Sequence, residues 1–462
     1  MQENFTGSIA FTPHQVRSLR LAATSGLLIA GASVAAVAGG MKYFMIALAI
    51  MMAGWVYKKP NEGIAAGTIY LLACNVIFPH SARFDWMEDP WEMRYWAAGL
   101  LMITLAACAG VGFRNLSRIP AAVKVFLLVA VAAAFVGLSK GGSLSYVSRQ
   151  FYGSLLLAVY FAIAYRIGDE ELFLRRLRVA GLVGAFLFFL YYGAVFSKYG
   201  FHKEMTTLGT LEGVVALLCM AVGLSRKSFG WVVSGVITFA VPALLFWRHA
   251  VLMCVFGVLL TLAMKAARKK TKFALYCASA VLVIPSLFPA GAGLVLDRAL
   301  NSTTIERVLP GGTGDITSLE DRVIQLWASL DVLQRSPLFG DGFGNEIAWD
   351  SVSRGVVAQA FVDNGWAYMT AKMGVLGWIA MGWFLFTVLR CVSAKSLEIS
   401  VAVVALTLVA QFSEPVFFQF TTSPLCGALA GLLCAKRMRE EGGLAAHPSS
   451  YVPRQRAAAL QA

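Results

Sequence analysis

The apolar segment that decides the fold class is Ala121-Ala-Val-Lys-Val-Phe-Leu-Leu-Val-Ala-Val-Ala-Ala-Ala-Phe-Val-Gly-Leu138. Lys124 is its only charged residue. A helix needs about 20 apolar residues, with a range of roughly 17–25, to cross the hydrocarbon of a bilayer. Similar runs recur along the whole chain, and they are continuously apolar rather than alternating. They therefore predict membrane-spanning helices and not the strands of a barrel.

The composition of the 462-residue chain supports this interpretation. Hydrophobic residues make up 58%, charged residues only 14%, and the mean hydropathy is +0.69. A soluble domain has about a quarter of its residues charged, because its surface faces water. We therefore predict an all-α polytopic membrane protein with about fourteen transmembrane helices, from the number of apolar runs of spanning length.

The distribution of charge predicts the orientation in the membrane. The formal net charge is +14, but Lys and Arg cluster in short loops on one predicted side, as the positive-inside rule describes. The strongest cluster is Lys265-Ala-Ala-Arg-Lys-Lys-Thr-Lys272. This pattern indicates a multi-pass protein of a bacterial inner membrane with both termini in the cytoplasm, and it argues against nucleic acid as a partner. The first apolar run, Leu19–Gly39, is long for a signal peptide, so we expect an uncleaved helix there.

The expected organisation has five parts. One long periplasmic loop containing short helices is expected between the eleventh and twelfth transmembrane helices. The parts are a cytoplasmic N-terminus (1–18), eleven transmembrane helices (19–294), the periplasmic loop (295–364), three further transmembrane helices (365–435) and a disordered cytoplasmic tail (436–462).

The sequence gives no sign of a metal or another cofactor. Its eight cysteines all fall within apolar runs, without a CxxC pair or a Cys/His ligand spacing, so we expect neither a disulfide framework nor a zinc site. A DxD pair that would indicate a metal-bound nucleotide sugar is also not found.

Three arginines on the predicted outer side are candidates for a site: Arg149, Arg248 and Arg322. Charges at the membrane boundary are costly and are often functional, and the guanidinium group pairs with phosphate oxygens. The alternative is that each arginine only extends to the interface. Arg248 stands in the tight turn Phe246-Trp-Arg-His-Ala250, where His249 is either a titrating group or an interfacial residue.

The long loop has the most specific local patterns. The segment Asp321-Arg-Val-Ile-Gln-Leu-Trp-Ala-Ser-Leu330 has the period of an amphipathic helix. It leads to Arg335-Ser-Pro-Leu-Phe-Gly-Asp-Gly-Phe-Gly344, where proline and glycine predict a tight loop whose backbone can approach a ligand closely. The polar pair Asp363-Asn364 then precedes the next apolar helix.

These blocks resemble, in order, those of the O-antigen polymerase/O-antigen ligase superfamily of bacterial surface-polysaccharide assembly. The first block is Thr207-Leu-Gly-Thr-Leu-Glu-Gly213, followed by Arg248 where the family has a Ser-Arg-Gly turn. The second, from Asp321 to Gly344, is similar to the family's "RxxxW…HPLFGxGxG" segment. The third, from Asp363 to Gly377, is similar to its "HN…ELGxxG" block. Arg149 resembles an upstream arginine of the family.

The resemblance implies a metal-independent glycosyltransferase whose active site faces the periplasm. Its substrate would be an undecaprenyl-pyrophosphate-linked oligosaccharide held among membrane lipids, and a chain-length regulator is a further expected partner. Arg248 and Arg322 would be catalytic. The expected substrate-binding residues are Arg149, Arg248, Arg322, Arg335, Asn364 and Trp327. Further aromatic candidates for stacking on sugars are Phe339, Phe343, Trp349 and Trp366, unless they only pack in the fold.

One position departs from the family pattern. Ligases have a histidine where this chain has Asp363, and that histidine is thought to deprotonate the acceptor hydroxyl. Asp363 is then either a general base or a positioning residue or helix cap. The departure favours an exopolysaccharide or O-antigen polymerase over an O-antigen ligase. A transporter or flippase of lipid-linked oligosaccharide is the alternative from another class, but such proteins often have internal repeats, which this sequence lacks.

Overall fold

The computed structural model describes residues 41–77, 91–112, 116, 118–199, 209–244, 248–267, 314–351, 355–393 and 396–440. The predicted helices at 19–39 and 273–294 lie outside these residues. So do the start of the long loop, 295–313, and the tail from 441 onward.

The described residues are mostly helical. In chain order the elements are α1 (Met41–Lys58), α2 (Gly63–Ile77), α3 (Trp91–Val111), α4 (Ala121–Ser139), α5 (Leu144–Ile167), α6 (Glu170–Tyr199), α7 (Gly209–Arg226), α8 (Phe229–Leu244), α9 (Arg248–Ala267), α10 (Gly314–Arg335), β1 (Ile347–Ser351), β2 (Gly355–Gln359), α11 (Gly365–Leu389), α12 (Leu397–Ala405) and α13 (Ser423–Glu440). A π-helical turn, Leu406–Ala410, and a short helical turn, Gln411–Ser413, follow α12.

Within the described residues, four helices are long and apolar enough to cross a membrane: α4, α5, α7 and α11. Shorter apolar helices occupy Met45–Lys58, Tyr95–Val111, Phe229–Ala243, Ala250–Lys265 and Leu397–Ala410. These helices support the prediction of an all-α membrane protein. The count of about fourteen spans stays a prediction. It is the number of apolar runs in the sequence that are long enough to cross a bilayer.

The outer surface of the helices carries apolar stripes. On α11 the exposed residues Val375, Ile379 and Phe386 recur at helical spacing along one face. On α9 a similar stripe begins at Leu252 and Val255. Soluble monomers rarely leave such continuous apolar surface in water, whereas lipid tails cover it without cost. This surface is therefore a second observation in favour of a membrane protein.

Glycines allow α5 and α13 to pack with their backbones in contact. A Cβ added at Gly427 would overlap the carbonyl oxygen of Leu157, and one at Gly431 would overlap that of Phe161. Gly427 and Gly431 form a GxxxG pair, the small-residue spacing by which membrane helices approach closely. The pair therefore fixes α13 against the middle of α5.

Helix α6 begins earlier than the apolar pattern suggests. The apolar run starts after a basic stretch, but the helix already begins at Glu170 and includes that stretch. Arg176 explains part of this difference, because its Nη2 and Nε bind the buried carboxylate of Glu62 at 2.7 and 2.9 Å. Arg178 donates to Ser234. Tertiary partners thus hold the polar first turns of α6 in helical form.

The described part of the long loop contains a longer helix than the short helices that the sequence predicts, and it also contains two strands. Helix α10 has 22 residues, and β1 pairs antiparallel with β2, from Ile347 opposite Gln359 to Ser351 opposite Gly355. The sequence pattern does not predict this hairpin. Its strands have five residues each, and only β1 has an alternating pattern, with Trp349 at its buried centre.

Candidate functional site

Helix α11 is interrupted by the glycine-rich loop that precedes the hairpin. Gly374 has φ 58° and ψ −152° inside α11, a conformation that is essentially restricted to glycine. At this break the amide of Val375 donates to the carbonyl of Pro337 over 2.9 Å. The amide of Asp341 donates to the carbonyl of Ala371 over 2.8 Å. The loop thus supplies hydrogen bonds that the helix itself would make if it were continuous.

The same loop is anchored to the end of α4. Lys140 Nζ lies 3.0 Å from Asp341 Oδ1, and it also donates to Ser336 Oγ over 2.7 Å and to the carbonyl of Gly340 over 3.0 Å. The buried Lys372 of α11 donates to the carbonyl of Asn345. Two ammonium groups from different membrane helices therefore hold the loop in position.

Helix α5 connects this loop with the segment that leads into α11. The side chain of the buried Gln150 accepts from the amide of Gly344 over 2.7 Å and donates to the carbonyl of Ala360 over 2.6 Å. The adjacent Arg149 is exposed, and its guanidinium carbon lies 4.8 Å from the centre of the Phe361 ring. Arg149 therefore contacts the segment that leads into α11, in which Asp363 follows Phe361 by two positions.

The start of α11 separates the roles of Asp363 and Asn364. Asn364 is buried, and its Oδ1 accepts from the amides of Trp366 at 2.9 Å and Ala367 at 3.1 Å. Asn364 is therefore the helix cap and, in this conformation, a structural residue; the cap alternative for Asp363 is wrong. Asp363 is exposed, and the prediction that it acts as a base is untested.

Helix α10 brings Arg322 to the same region. The backbone amide of Asn364 donates to Gln325 Oε1 over 3.3 Å, and the half-buried Arg322 precedes Gln325 by one helical turn. Asp321 accepts a hydrogen bond of 2.8 Å from Ser351 of the hairpin. The segment that leads into α11 and contains Asp363 is thus bound by α5 at Arg149, through Phe361, and by α10 at Gln325, one turn after Arg322.

Helix α9 begins at Arg248, and contacts through α7 connect this end of α9 with α11. A Cβ added at Gly213 of α7 would lie 2.9 Å from the Cβ of Ala250. Near the start of α7, Thr210 donates to Glu414 over 2.7 Å. Gln411, one turn before Glu414, packs on Gly365 of α11. The side chains of Arg248 and His249 lie outside the described part of the structure, so their predicted roles stay predictions.

This region contains further polar residues, which the sequence motifs do not indicate. Glu212, Gln411 and Tyr368 are buried, and Glu414 is half-buried. The signal for Glu212 was present, because a carboxylate within an apolar run is a functional candidate by default. The π-helical turn before Gln411 is a feature often found at functional sites, but it is visible only in the structure.

The aromatic candidates for sugar stacking differ in exposure. Trp327 on α10 is 63% exposed, whereas Phe343 and Trp349 are buried. Phe339 is half-buried, and Trp366 already stacks on Trp378 with ring centres 5.4 Å apart. Trp327 is therefore the candidate best placed to meet a sugar from the solvent side.

Arg335 lines an open depression at the end of α10. The depression has a volume of about 220 Å³ and is also lined by Asp331, Asp341 and Glu346. Arg335 is exposed and donates to the carbonyl of Asp331 over 3.3 Å. The surrounding carboxylates make this depression a poor place for a phosphate and a better one for the hydroxyl groups of a glycan.

No protein-family model and no curated protein matches this sequence. The resemblance to polysaccharide polymerases and ligases therefore rests on the quoted blocks. Among the residues that the structure describes, no group of three or more His, Cys, Asp or Glu side chains is arranged to hold a metal ion.

Proposed function

We propose that this protein is a membrane glycosyltransferase that joins undecaprenyl-pyrophosphate-linked glycan units on the periplasmic face of a bacterial inner membrane. The observation that supports it is that the segment leading into α11, which contains Asp363, contacts Arg149 through Phe361 and binds Gln325, one helical turn after Arg322. In this proposal about fourteen helices span the membrane, and both termini are cytoplasmic. A polysaccharide polymerase is the form that we favour.

The reaction needs few groups from the protein. The oxygen of an acceptor hydroxyl attacks the anomeric carbon of the donor glycan, and the bond from that carbon to the diphosphate oxygen breaks. Arg149 and Arg322, with Arg248, bind the diphosphate and stabilise the negative charge that develops on it. Asp363 takes the proton of the acceptor hydroxyl. The products are the lengthened glycan and undecaprenyl pyrophosphate.

The surroundings of the arginines fit such a substrate. Exposed apolar stripes on α9 and α11 would face lipid, which gives a polyprenyl tail an apolar surface to lie on. Trp327 and the depression beside Arg335 lie on α10, where a glycan would extend into the periplasm. A tail in the membrane and sugars in water require this combination of surfaces.

The direct test is reconstitution of the purified protein in vesicles with lipid-linked repeat units. Growth of a ladder of longer glycans is expected for a polymerase. Transfer of the glycan to lipid A-core would identify the protein as a ligase instead. Movement of the lipid across the bilayer without a new glycosidic bond would refute the proposal in favour of a transporter.

The arginines can be tested in the same assay. Arg149→Ala and Arg322→Ala should each lower the rate by about 100-fold or more, the loss expected when a donor that stabilises transition-state charge is removed. Arg175→Ala is a matched control, because Arg175 is an exposed arginine whose ion pair, with Glu171 at 3.0 Å, lies within the first turns of α6. Full activity of both site variants would remove these arginines from the proposed mechanism.

A further inference from the structure

Two buried side chains near the first turn of α11 have polar atoms without a hydrogen-bond partner among the described residues. They are the hydroxyl oxygen of Tyr368 and both polar atoms of the Gln411 carboxamide. Both residues have 0% of their surface exposed. Such groups are rare in native proteins because their desolvation is not compensated. Their retention therefore calls for an explanation.

The two side chains belong to one place in the fold. Gly365 and Tyr368 are one turn apart on α11 and so lie on the same helical face. The Gln411 carboxamide lies directly on Gly365, where any Cβ would overlap its nitrogen. The Tyr368 ring packs on Phe418 with ring centres 5.1 Å apart.

The hydroxyl of Tyr368 is directed toward the end of α11 that carries Asp363. Long helical side chains lean toward the N-terminus of their helix. In agreement, the Tyr368 ring stacks on that of Phe361, which precedes the helix, with ring centres 6.5 Å apart. The guanidinium carbon of Arg149 lies 4.8 Å from the centre of the same Phe361 ring. The Tyr368 hydroxyl and the Gln411 carboxamide thus both lie at the first turn of α11.

We propose that Tyr368 and Gln411 form a subsite that binds hydroxyl groups of a sugar ring. This inference rests on the proposed function and adds to it the place where the reacting sugar sits. The carboxamide lacks both a donor and an acceptor partner, and a fully ionised phosphate offers only acceptors. Neighbouring sugar hydroxyls both donate and accept, so they satisfy the nitrogen and the oxygen of Gln411 at once.

The test uses substitutions that keep shape and remove polarity. Tyr368→Phe removes only the hydroxyl, and Gln411→Met replaces the carboxamide by an unbranched side chain of similar length. Tyr160→Phe is the matched control, since Tyr160 is equally buried but its hydroxyl accepts a hydrogen bond from Thr104 over 3.4 Å. The full chain is purified in detergent for each variant.

The first readout is thermal stability without and with ligand. The probes are undecaprenyl pyrophosphate alone and the free glycan released by mild acid from lipid-linked units of the source cells. In the ligand-free state we expect Tyr368→Phe and Gln411→Met to unfold at the wild-type temperature or above it, because an unpartnered buried group is removed. The control should unfold at a lower temperature. We further expect both site variants to lose the stabilisation by free glycan and to keep that by undecaprenyl pyrophosphate.

The second readout is glycan synthesis in vesicles, where each site variant should lose about tenfold, the equivalent of one lost hydrogen-bonding partner. If the wild-type protein extends the ladder and both site variants do so at the same rate, the subsite is overturned and the proposed function still stands. The reverse result, no new glycosidic bond but stabilisation by free glycan that both variants lose, would support the subsite and refute the function. Loss of stabilisation by undecaprenyl pyrophosphate alone would overturn the assignment to sugar.

Discussion

The backbone amide of Asp341 donates to the carbonyl oxygen of Ala371 over 2.8 Å, and this contact joins a loop to the interior of a membrane helix. In a continuous helix that carbonyl would accept from Val375; here Val375 donates to Pro337 instead. Because the backbone of the loop and the backbone of the helix each donate one of these hydrogen bonds to the other, the loop and the helix behave as one unit. The start of α11, with Asp363 next to it, is positioned by the same unit.

Replacement of the glycine at the break should therefore disrupt the fold locally. Gly374→Ala places a Cβ 2.6 Å from the amide nitrogen of Gly340 and from the carbonyl oxygen of Pro337. It also forces alanine into a positive φ, which alone costs about 1–3 kcal/mol. We expect a lower unfolding temperature and loss of glycan synthesis. Gly382→Ala in the same helix is the control, because a Cβ there meets nothing within 4 Å, and it should be neutral or slightly stabilising.

The glycines of α13 should be equally intolerant of substitution. Gly427→Ala brings a Cβ into overlap with the carbonyl oxygen of Leu157, so α13 must move away from α5. Overpacking of this kind costs about 1–3 kcal/mol. We expect a lower thermal unfolding temperature in detergent. Gly54→Ala in α1 is the control, since a Cβ there has open space; equal effects of both substitutions would contradict the close approach of α5 and α13.

The pair formed by Glu62 and Arg176 should contribute measurably to stability. Glu62 is only 3% exposed, and Glu62→Gln removes the charge that faces the guanidinium of Arg176. Since Arg176 is partly exposed, water compensates some of the loss, and we expect a cost of about 1–3 kcal/mol. Arg175→Ala, which breaks an exposed pair, should cost less than about 1 kcal/mol. Chemical denaturation of both variants checks this order.

Substitutions at the start of α11 separate catalysis from capping. Asn364→Ala removes a cap that accepts from Trp366 and Ala367 and should cost about 0.5–2 kcal/mol of stability. Asp363→Asn should lower the unfolding temperature less than Asn364→Ala does, because Asp363 is exposed and is not the cap. If Asp363 is the base, its asparagine variant loses glycan synthesis together with the acid limb of the pH–rate profile. A variant with normal rate and profile would exclude that role.

The broad features of this protein follow from local sequence. Apolar runs such as Ala121–Leu138 predict membrane helices because hydrophobic transfer free energy is nearly additive along a segment. The period of the stretch after Asp321 indicates α10, and the glycines of 340–344 predict a tight loop. Each of these patterns requires only near neighbours in the chain.

Tertiary structure decided which polar groups become partners. Nothing local indicates a break at Gly374, because a single glycine is tolerated within a helix. The break exists because a loop some thirty residues earlier, ending near Gly344, supplies the missing hydrogen bonds. The hairpin and the burial of Tyr368 and Gln411 are likewise set by contacts distant in sequence. Hydrophobicity is a property of a segment, whereas the partner of a hydrogen bond depends on where the rest of the chain lies.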